Sequence, residues 1–198
     1  MTRRFGTLGP TGSCHENATK SYLAYHSVKD AEIALCLSLL DGLEDLRSGK
    51  LDYLIQCSAH LDVHLVTEKY YSELFVTDTF IYPTKELVLL EREGVANPRT
   101  LGLVKATEGY LDGIKYEQVI YEITKPIVGA GLLAGKYDAG LTYPEYQAQA
   151  PGEFRVRKYI GHVLTTWLVY GRHTVFKGSV IGAAPRGFYD EAALRRAG

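Results

Sequence analysis

The sequence predicts an α/β protein of two similar lobes, each with a mostly parallel sheet, that face each other across a cleft. Short apolar segments typical of buried strands alternate with helical segments along the chain. Residues 46–53 also resemble residues 133–140, because in both a helix end and a glycine turn are followed by an aspartate that leads into a buried strand. Ligands bind such sheets at the carboxyl ends of the strands, so we expect a site in the cleft.

The elements follow from the spacing of apolar residues and from the turns between them. Apolar residues at helical spacing predict helices over 17–26, 39–48 and 124–134. For residues 58–71 and 107–111 the sequence leaves open whether the segment is a loop or a helix. Short apolar or alternating segments predict strands over 32–36, 51–57, 74–82, 86–91, 100–104, 116–123, 139–142, 155–160 and 164–170.

Two lobes follow from this order of elements. We predict one lobe from residues 1–83 and 163–198, and a second from residues 84–162. The tail from residue 178 is rich in Gly, Ala and Arg and predicts a loosely held segment with a short final helix.

The composition predicts a soluble globular protein, with 46% hydrophobic and 23% charged residues and a net charge of −1. Without a basic excess or an apolar run of about 18 residues, neither nucleic acid nor a membrane is expected as a partner. Three cysteines and an N-terminus without an apolar leader favour the cytoplasm. No cofactor is predicted, and the 15 tyrosines together with the apolar strand 74–82 permit a homodimer.

The turn between the first strand and the first helix is a candidate anion site. Ser13 stands at the N-cap position and Glu16 follows at the spacing of a capping box. The backbone N–H groups of Gly12, Ser13 and Cys14 would then attract a carboxylate or a phosphate. The alternative is a tight turn without a ligand. Cys14 is also a candidate nucleophile, although the chemistry expected below needs none.

A second candidate cluster follows the strand 51–57. His60 and His64 are four residues apart and would share one helix face. One interpretation is a general acid, because histidine titrates near neutral pH. A second is a metal site completed by Cys57, His15 or Asp62. The third is a polar loop with surface histidines, and the sequence leaves all three open.

The order and spacing of several motifs resemble the catalytic domains of prephenate dehydratases. Residues 8–13, Leu-Gly-Pro-Thr-Gly-Ser, are similar to the start of that family, and residues 49–55 to its Gly-x-x-Asp-Tyr strand. Residues 124–139 are similar to its second-lobe helix and strand, and residues 164–169 stand where the family has Thr-Arg-Phe. The resemblance covers most of residues 5–171 and implies the two-lobed fold shared with type II periplasmic binding proteins.

The departures from that family point to one branch of it. In the loop after the strand 51–57, His60 and Leu61 replace the family's Asn-Ser pair, and Cys57 replaces the Pro that precedes it. In the last motif, Thr166 replaces the family's Arg and Trp167 replaces its Phe. Similar losses occur in the stand-alone, non-aromatising prephenate decarboxylases of antibiotic pathways, such as the bacilysin-pathway enzyme. The resemblance therefore implies a lyase of secondary metabolism that decarboxylates prephenate or a related cyclic keto acid and protonates its ring.

The site residues expected on this basis come from both lobes. The catalytic candidates are His60, Thr165 and Thr166. At position 166 the missing cation would leave the departing carboxylate unpaired and favour its loss as CO₂. The substrate-binding candidates are Gly12, Ser13, Cys14, Ser58, Thr107, Thr124 and Trp167.

Three alternatives remain open at this point. The first is a prephenate dehydratase that forms phenylpyruvate, the second a non-catalytic protein that binds a small organic acid, and the third an enzyme for another cyclic or keto acid. The hydroxyls of Ser13 and Thr124 are equally compatible with plain helix caps.

Overall fold

The computed structural model describes residues 2–182, so most of the predicted C-terminal tail, residues 183–198, lies outside the described residues. Ten strands are present: β1 Arg3–Leu8, β2 Ala31–Cys36, β3 Tyr53–Cys57, β4 Phe75–Pro83, β5 Leu87–Arg92, β6 Thr100–Leu103, β7 Gln118–Tyr121, β8 Ala139–Thr142, β9 Phe154–Gly161 and β10 Leu164–Gly171. The helices are α1 Cys14–Tyr25, α2 Leu39–Arg47, α3 His64–Tyr70, α4 Lys125–Leu133 and α5 Glu145–Gln149, with a 3-10 helix at Lys105–Leu111.

The strands form two five-stranded sheets, which confirms the predicted α/β fold. The sheet of the first lobe has the order β2-β1-β3-β10-β4, and that of the second lobe has the order β7-β6-β8-β5-β9. Parallel pairing is confined to β1, β2 and β3 in one sheet and to β6, β7 and β8 in the other. The other strands pair antiparallel, so each sheet is mixed rather than mostly parallel.

The internal repeat has a common structural basis. In each lobe a helix ends at a glycine with positive φ, 81° in one repeat and 73° in the other, and an aspartate follows three residues later. The Asp52 carboxylate accepts a hydrogen bond from the N–H of Arg4 at 2.8 Å. The Asp138 carboxylate accepts from the N–H groups of Arg99 at 2.8 Å and Thr100 at 3.0 Å. Each aspartate thus ties its strand to the start of the neighbouring parallel strand.

The chain crosses between the two sheets twice, and the crossing segments are bonded to each other. The N–H of Thr84 donates to the carbonyl of Val163 at 2.8 Å, and the N–H of Val163 donates to the Thr84 hydroxyl at 3.0 Å. One apolar core runs from the first sheet, with Phe5 and Ile55, to the second, with Leu101. The two sheets therefore share a core as well as two connections.

None of the helices within residues 2–182 has the length and apolar character needed to cross a membrane.

We predict that Gly102→Ala destabilises the protein by about 1–3 kcal/mol, because a methyl group there would overlap the ring of Tyr137. Tyr137 is buried and its hydroxyl donates to the carbonyl of Val128 at 2.8 Å, so the ring cannot move freely. Gly109→Ala is the matched control, because a methyl group there meets no atom within 4 Å. Denaturant unfolding of both variants measures the difference, and equal stability of the two would contradict the packing described for Gly102.

Candidate functional site

A cavity of about 270 Å³ lies where the two lobes meet. The first lobe contributes residues at or just beyond the carboxyl ends of β1 and β3, among them Leu8 and Cys57. The second lobe contributes residues just beyond β6 and β8, among them Val104 and Tyr143. The carboxyl ends of parallel strands from both sheets therefore lie at the same cavity. This is where α/β folds bind ligands.

The structure brings most of the candidate residues together and separates the others. The cavity is lined by Ser13, Cys14, His60, Thr107, Thr124 and Thr165. The candidates that do not line it are Gly12, Ser58, Thr166 and Trp167.

The side chains of Thr165 and Thr166 lie on opposite faces of β10, because successive residues of a strand alternate. Thr165 lines the cavity, whereas Thr166 is exposed. The structure thus removes Thr166 from the site, and with it the expectation that a missing cation at position 166 acts on the departing carboxylate.

Trp167 is buried behind the cavity rather than in its wall. Its indole N–H donates to the carbonyl of Tyr82 at 3.0 Å, and its ring meets the ring of His15 edge-on with centroids 5.1 Å apart. Ser58 is exposed, and its N–H donates to the carbonyl of Thr166 at 3.0 Å. Neither side chain belongs to the substrate-binding set.

Ser13 is the N-cap of α1, as its spacing to Glu16 predicts. Its hydroxyl accepts from the N–H of Glu16 at 3.1 Å and donates to the carbonyl of Leu8 at 2.8 Å. The hydroxyl proton of Ser13 is therefore engaged within the protein.

The backbone donors of the opening turn are also engaged. The N–H of Gly12 donates to the Glu16 carboxylate at 2.6 Å, and the N–H of Cys14 donates to the Tyr143 hydroxyl at 2.9 Å. The N–H of Ser13 donates to a carbonyl of the same turn at 3.2 Å. The predicted anion site at this turn is therefore closed by the protein's own acceptors.

The cation of the cavity is Lys125, the first residue of α4, which the sequence analysis did not include among the site residues. Within residues 2–182, Lys125 makes no ion pair or hydrogen bond through its ammonium group, and no aspartate or glutamate lines the cavity. Its position at the N-terminus of a nine-residue helix places the ammonium charge beside the positive end of the helix dipole. The cavity is therefore electropositive and suits an anion.

His15 lies in this electropositive environment with no polar partner for its buried Nε2. Burial lowers the pKa of His15 to about 3, with further lowering by the charge of Lys125 and by His60. His15 is therefore neutral at neutral pH. In the sequence, the only indication that His15 lies near the cleft is that it directly follows the capping turn.

His60 lines the same cavity but does not share a helix face with His64. His60 lies in the turn before α3, whereas His64 is the first residue of that helix, is exposed, and faces Glu68 at 3.6 Å. Burial lowers the pKa of His60, the nearby Asp62 raises it, and Lys125 lowers it. The Nδ1 atom of His60 accepts from the N–H of Asp62 at 3.2 Å, which leaves the proton of the neutral ring on Nε2.

The threonine hydroxyls of the cavity differ in their availability to a ligand. The Thr107 hydroxyl donates to the carbonyl of Val104 at 2.7 Å, and that of Thr165 lies 3.6 Å from the Cys57 sulfur. The Thr124 hydroxyl is buried at the N-cap of α4 and has no partner within the described residues. An uncompensated buried hydroxyl costs free energy, so a ligand that bonds to Thr124 recovers that cost.

The buried thiol of Cys14 contacts the second lobe. Its sulfur lies 3.0 Å from the Tyr143 hydroxyl, and burial together with Cys14 raises the pKa of Tyr143. The thiol therefore lies in an interlobe contact. In the described part of the chain no three His, Cys, Asp or Glu side chains are grouped as metal ligands would be, so the His60–His64 metal interpretation has no ligand set there.

Comparisons with known proteins connect this architecture to other folds. No protein-family model matches the sequence, and no curated protein sequence matches it. A prephenate dehydratase from Arthrobacter aurescens, solved in complex with L-Phe, has a TM-score of 0.60 at 19% identity, over 89% of this chain and 63% of that one. This chain thus spans less than two thirds of the dehydratase chain.

Two further solved structures match with similar scores. An ABC transporter protein from Parabacteroides distasonis has a TM-score of 0.57 at 15% identity, over 86% of this chain and 66% of that one. The periplasmic VFT2 domain of Bordetella pertussis BvgS has a TM-score of 0.55 at 15% identity, over 86% and 80%. At these identities the likeness shows the fold alone, which is that of prephenate dehydratases and type II periplasmic binding proteins.

We predict that the imidazole of His15 stays neutral between about pH 4.5 and 8, where an unperturbed histidine titrates. The cause is burial, assisted by Lys125, so Lys125→Met should raise the pKa of His15 while leaving it below the ordinary value of 6.5. The ¹⁵N and ¹³C shifts of the ring measure both effects. A His15 midpoint near 6.5 in the unmodified protein would contradict the buried environment described here.

Proposed function

We propose that the protein is a lyase that acts on prephenate or a related cyclic keto acid and decarboxylates it without forming an aromatic ring. The observation that supports this most directly is the cavity between the lobes, which has one unpaired ammonium group, no carboxylate in its lining and a largely apolar wall. A small carboxylic acid matches this combination of charge and surface.

Lys125 and Thr124 are the residues that hold a carboxylate in this proposal. Both belong to the start of α4, and both line the cavity without a partner for their polar side-chain atoms among residues 2–182. A carboxylate there would gain a charge-assisted hydrogen bond from the ammonium and a second bond from the hydroxyl. The substrate's keto acid side chain supplies such a carboxylate.

The single cation supports decarboxylation over simple binding of a dicarboxylate. A substrate such as prephenate has two carboxylates, and Lys125 can neutralise only one of them. The second would face apolar wall residues such as Leu87 and Val163, whose side chains offer it no hydrogen-bond donor. A carboxylate without water or a cation is destabilised relative to CO₂, so breaking its bond to the ring becomes easier.

The ring then needs a proton where the carbon–carbon bond has broken, since the electron pair of that bond remains with the ring. With substrate bound beside Lys125, His60 can take up a proton at Nδ1, which lies 4.0 Å from the Asp62 carboxylate, and the imidazolium can then deliver its Nε2 proton to the ring carbon and return to the neutral form. Dehydration would instead send a proton to the leaving hydroxyl, and within residues 2–182 no Asp or Glu lines this cavity as a separate acid for that step. The arrangement therefore favours protonation of carbon with the ring hydroxyl retained.

Binding without catalysis is the second candidate function. Two of the structural matches are an ABC transporter protein and a periplasmic VFT2 domain, and the cavity would bind an organic acid whether or not a reaction follows. The two functions differ in whether bound substrate is consumed.

We predict that Lys125→Met weakens binding of phenylpyruvate roughly 10- to 100-fold, the loss expected for one charge-assisted hydrogen bond. The chain has a single tryptophan, Trp167, and its contact with His15 places it close enough to report occupancy by fluorescence. Lys115→Met is the matched control, because Lys115 is exposed and does not line the cavity. Equal affinity of the two variants would argue against a carboxylate at Lys125.

We predict that the protein releases CO₂ from prephenate and yields a non-aromatic product that retains the ring hydroxyl, as followed by CO₂ detection and by the ring signals in proton NMR. His60→Gln should lower kcat by about 10²–10⁴ with little change in KM, the range for loss of a general acid. His64→Gln is its control, because His64 is exposed outside the cavity. Formation of phenylpyruvate would establish dehydration instead, and saturable binding without CO₂ release would establish a binding protein.

A further inference from the structure

A second cavity, of about 300 Å³, opens directly beside the first. We call the first cavity the inner chamber and the second the outer chamber. The two chambers share part of their wall, which is formed by Leu8, His60, Val104, Ala106, Ile123 and Thr124. The two chambers therefore adjoin each other next to the start of α4, where Thr124 lines both.

The outer chamber collects exposed apolar side chains from separate loops of both lobes. In the first lobe, Leu37 follows β2 and is 63% exposed, and Leu61 lies between β3 and α3 and is 57% exposed. In the second lobe, Ile123 lies between β7 and α4 and is 53% exposed. Single exposed apolar residues are ordinary, but several that converge on one concave surface indicate a binding site.

Two charged groups of the outer chamber, Lys105 and Glu122, are paired with charged groups of the protein. The Glu122 carboxylate lies 2.6 Å from the ammonium of Lys136, and the Lys105 ammonium lies 2.6 Å from the carboxylate of Glu108. Asp62 adds a further carboxylate to the lining. An anionic group in the outer chamber would meet two carboxylates, Glu122 and Asp62, and no free cation, so the occupant that fits is uncharged and apolar.

We propose that the ligand of this protein is a carboxylic acid with an apolar chain or ring that extends beyond the keto acid part into the outer chamber. The inference rests on the proposed function for the position of the carboxylate at Lys125, and it narrows the substrate class from prephenate itself to a related acid with an apolar extension. Leu37 and Leu61 are then specificity-determining residues, because they line only the outer chamber and would contact only the extension.

The test is a series of straight-chain 2-oxo acids from 2-oxobutanoate to 2-oxodecanoate, titrated into the full chain with Trp167 fluorescence as the readout. The dissociation constant should fall roughly threefold for each added methylene, as expected for transfer of that group from water to an apolar surface. Leu61→Ser and Leu37→Ser should weaken the long acids about tenfold, from the loss of apolar contact area, and should leave 2-oxobutanoate unchanged.

Ile81→Ser is the matched control, since Ile81 is 63% exposed on β4 and lines neither chamber. Equal affinity for short and long acids would overturn the inference, as would equal weakening of the long acids by Ile81→Ser and Leu61→Ser. Lys125→Met separates this result from failure of the proposed function. If Lys125→Met weakens the binding of every acid in the series by the same factor, the result supports a carboxylate at Lys125. If it weakens none of them while affinity still rises with chain length, the proposed function is wrong, but binding of an apolar chain in the outer chamber is still supported.

Discussion

The contact between Tyr143 and the start of α1 is the interaction on which the geometry of the site depends. The Tyr143 hydroxyl, from the second lobe, accepts from the N–H of Cys14 at 2.9 Å in the first lobe. Lys85 reinforces this contact, because its ammonium lies 4.2 Å from the centre of the Tyr143 ring and donates to the carbonyl of Gly12 and to the carboxylate of Glu145, each at 3.0 Å. Lys85 and Tyr143 thus hold three parts of the chain together on one side of the inner chamber. These are the opening turn of the first lobe, the crossing segment that contains Lys85, and the second lobe.

This contact has a consequence for recognition. A turn between a strand and a helix would ordinarily offer its N–H groups to an anion, but here the hydroxyl of Tyr143 and the carboxylate of Glu16 take two of those donors. In the proposed function the anion binds instead at the other lobe, where α4 begins with Lys125 after its N-cap Thr124. On one side of the cleft, the backbone donors of the opening turn are therefore occupied by protein acceptors. On the other side, the positively charged start of α4 has polar groups without a partner in the described residues.

Burial, assisted by the same positive charge, lowers the pKa of both histidines of the cavity. Burial and the ammonium of Lys125 both disfavour a charged imidazole, so His15 and His60 have lowered pKa values. An anionic ligand beside Lys125 would offset that charge and shift both imidazoles toward their ordinary proton affinity. In the proposed function, ligand binding would therefore make a proton more available on His60.

Local chemistry was enough to predict most of the strands, the helices α1, α2 and α4, and the repeat of residues 46–53 at 133–140, because hydrophobic spacing, glycine turns and helix caps act over a few residues. The short helix α5 was not predicted. The N-cap role of Ser13 and the presence of His60 near a strand end followed from the same signals. The tertiary structure alone decided which side chains face the cavity. Thr166 lies outside because a strand alternates its faces, and Lys125 lies inside because two lobes converge. The engagement of the turn by Tyr143 joins residues 129 positions apart. Such distant contacts depend on how the sheets pack, and no local pattern in the sequence specifies them.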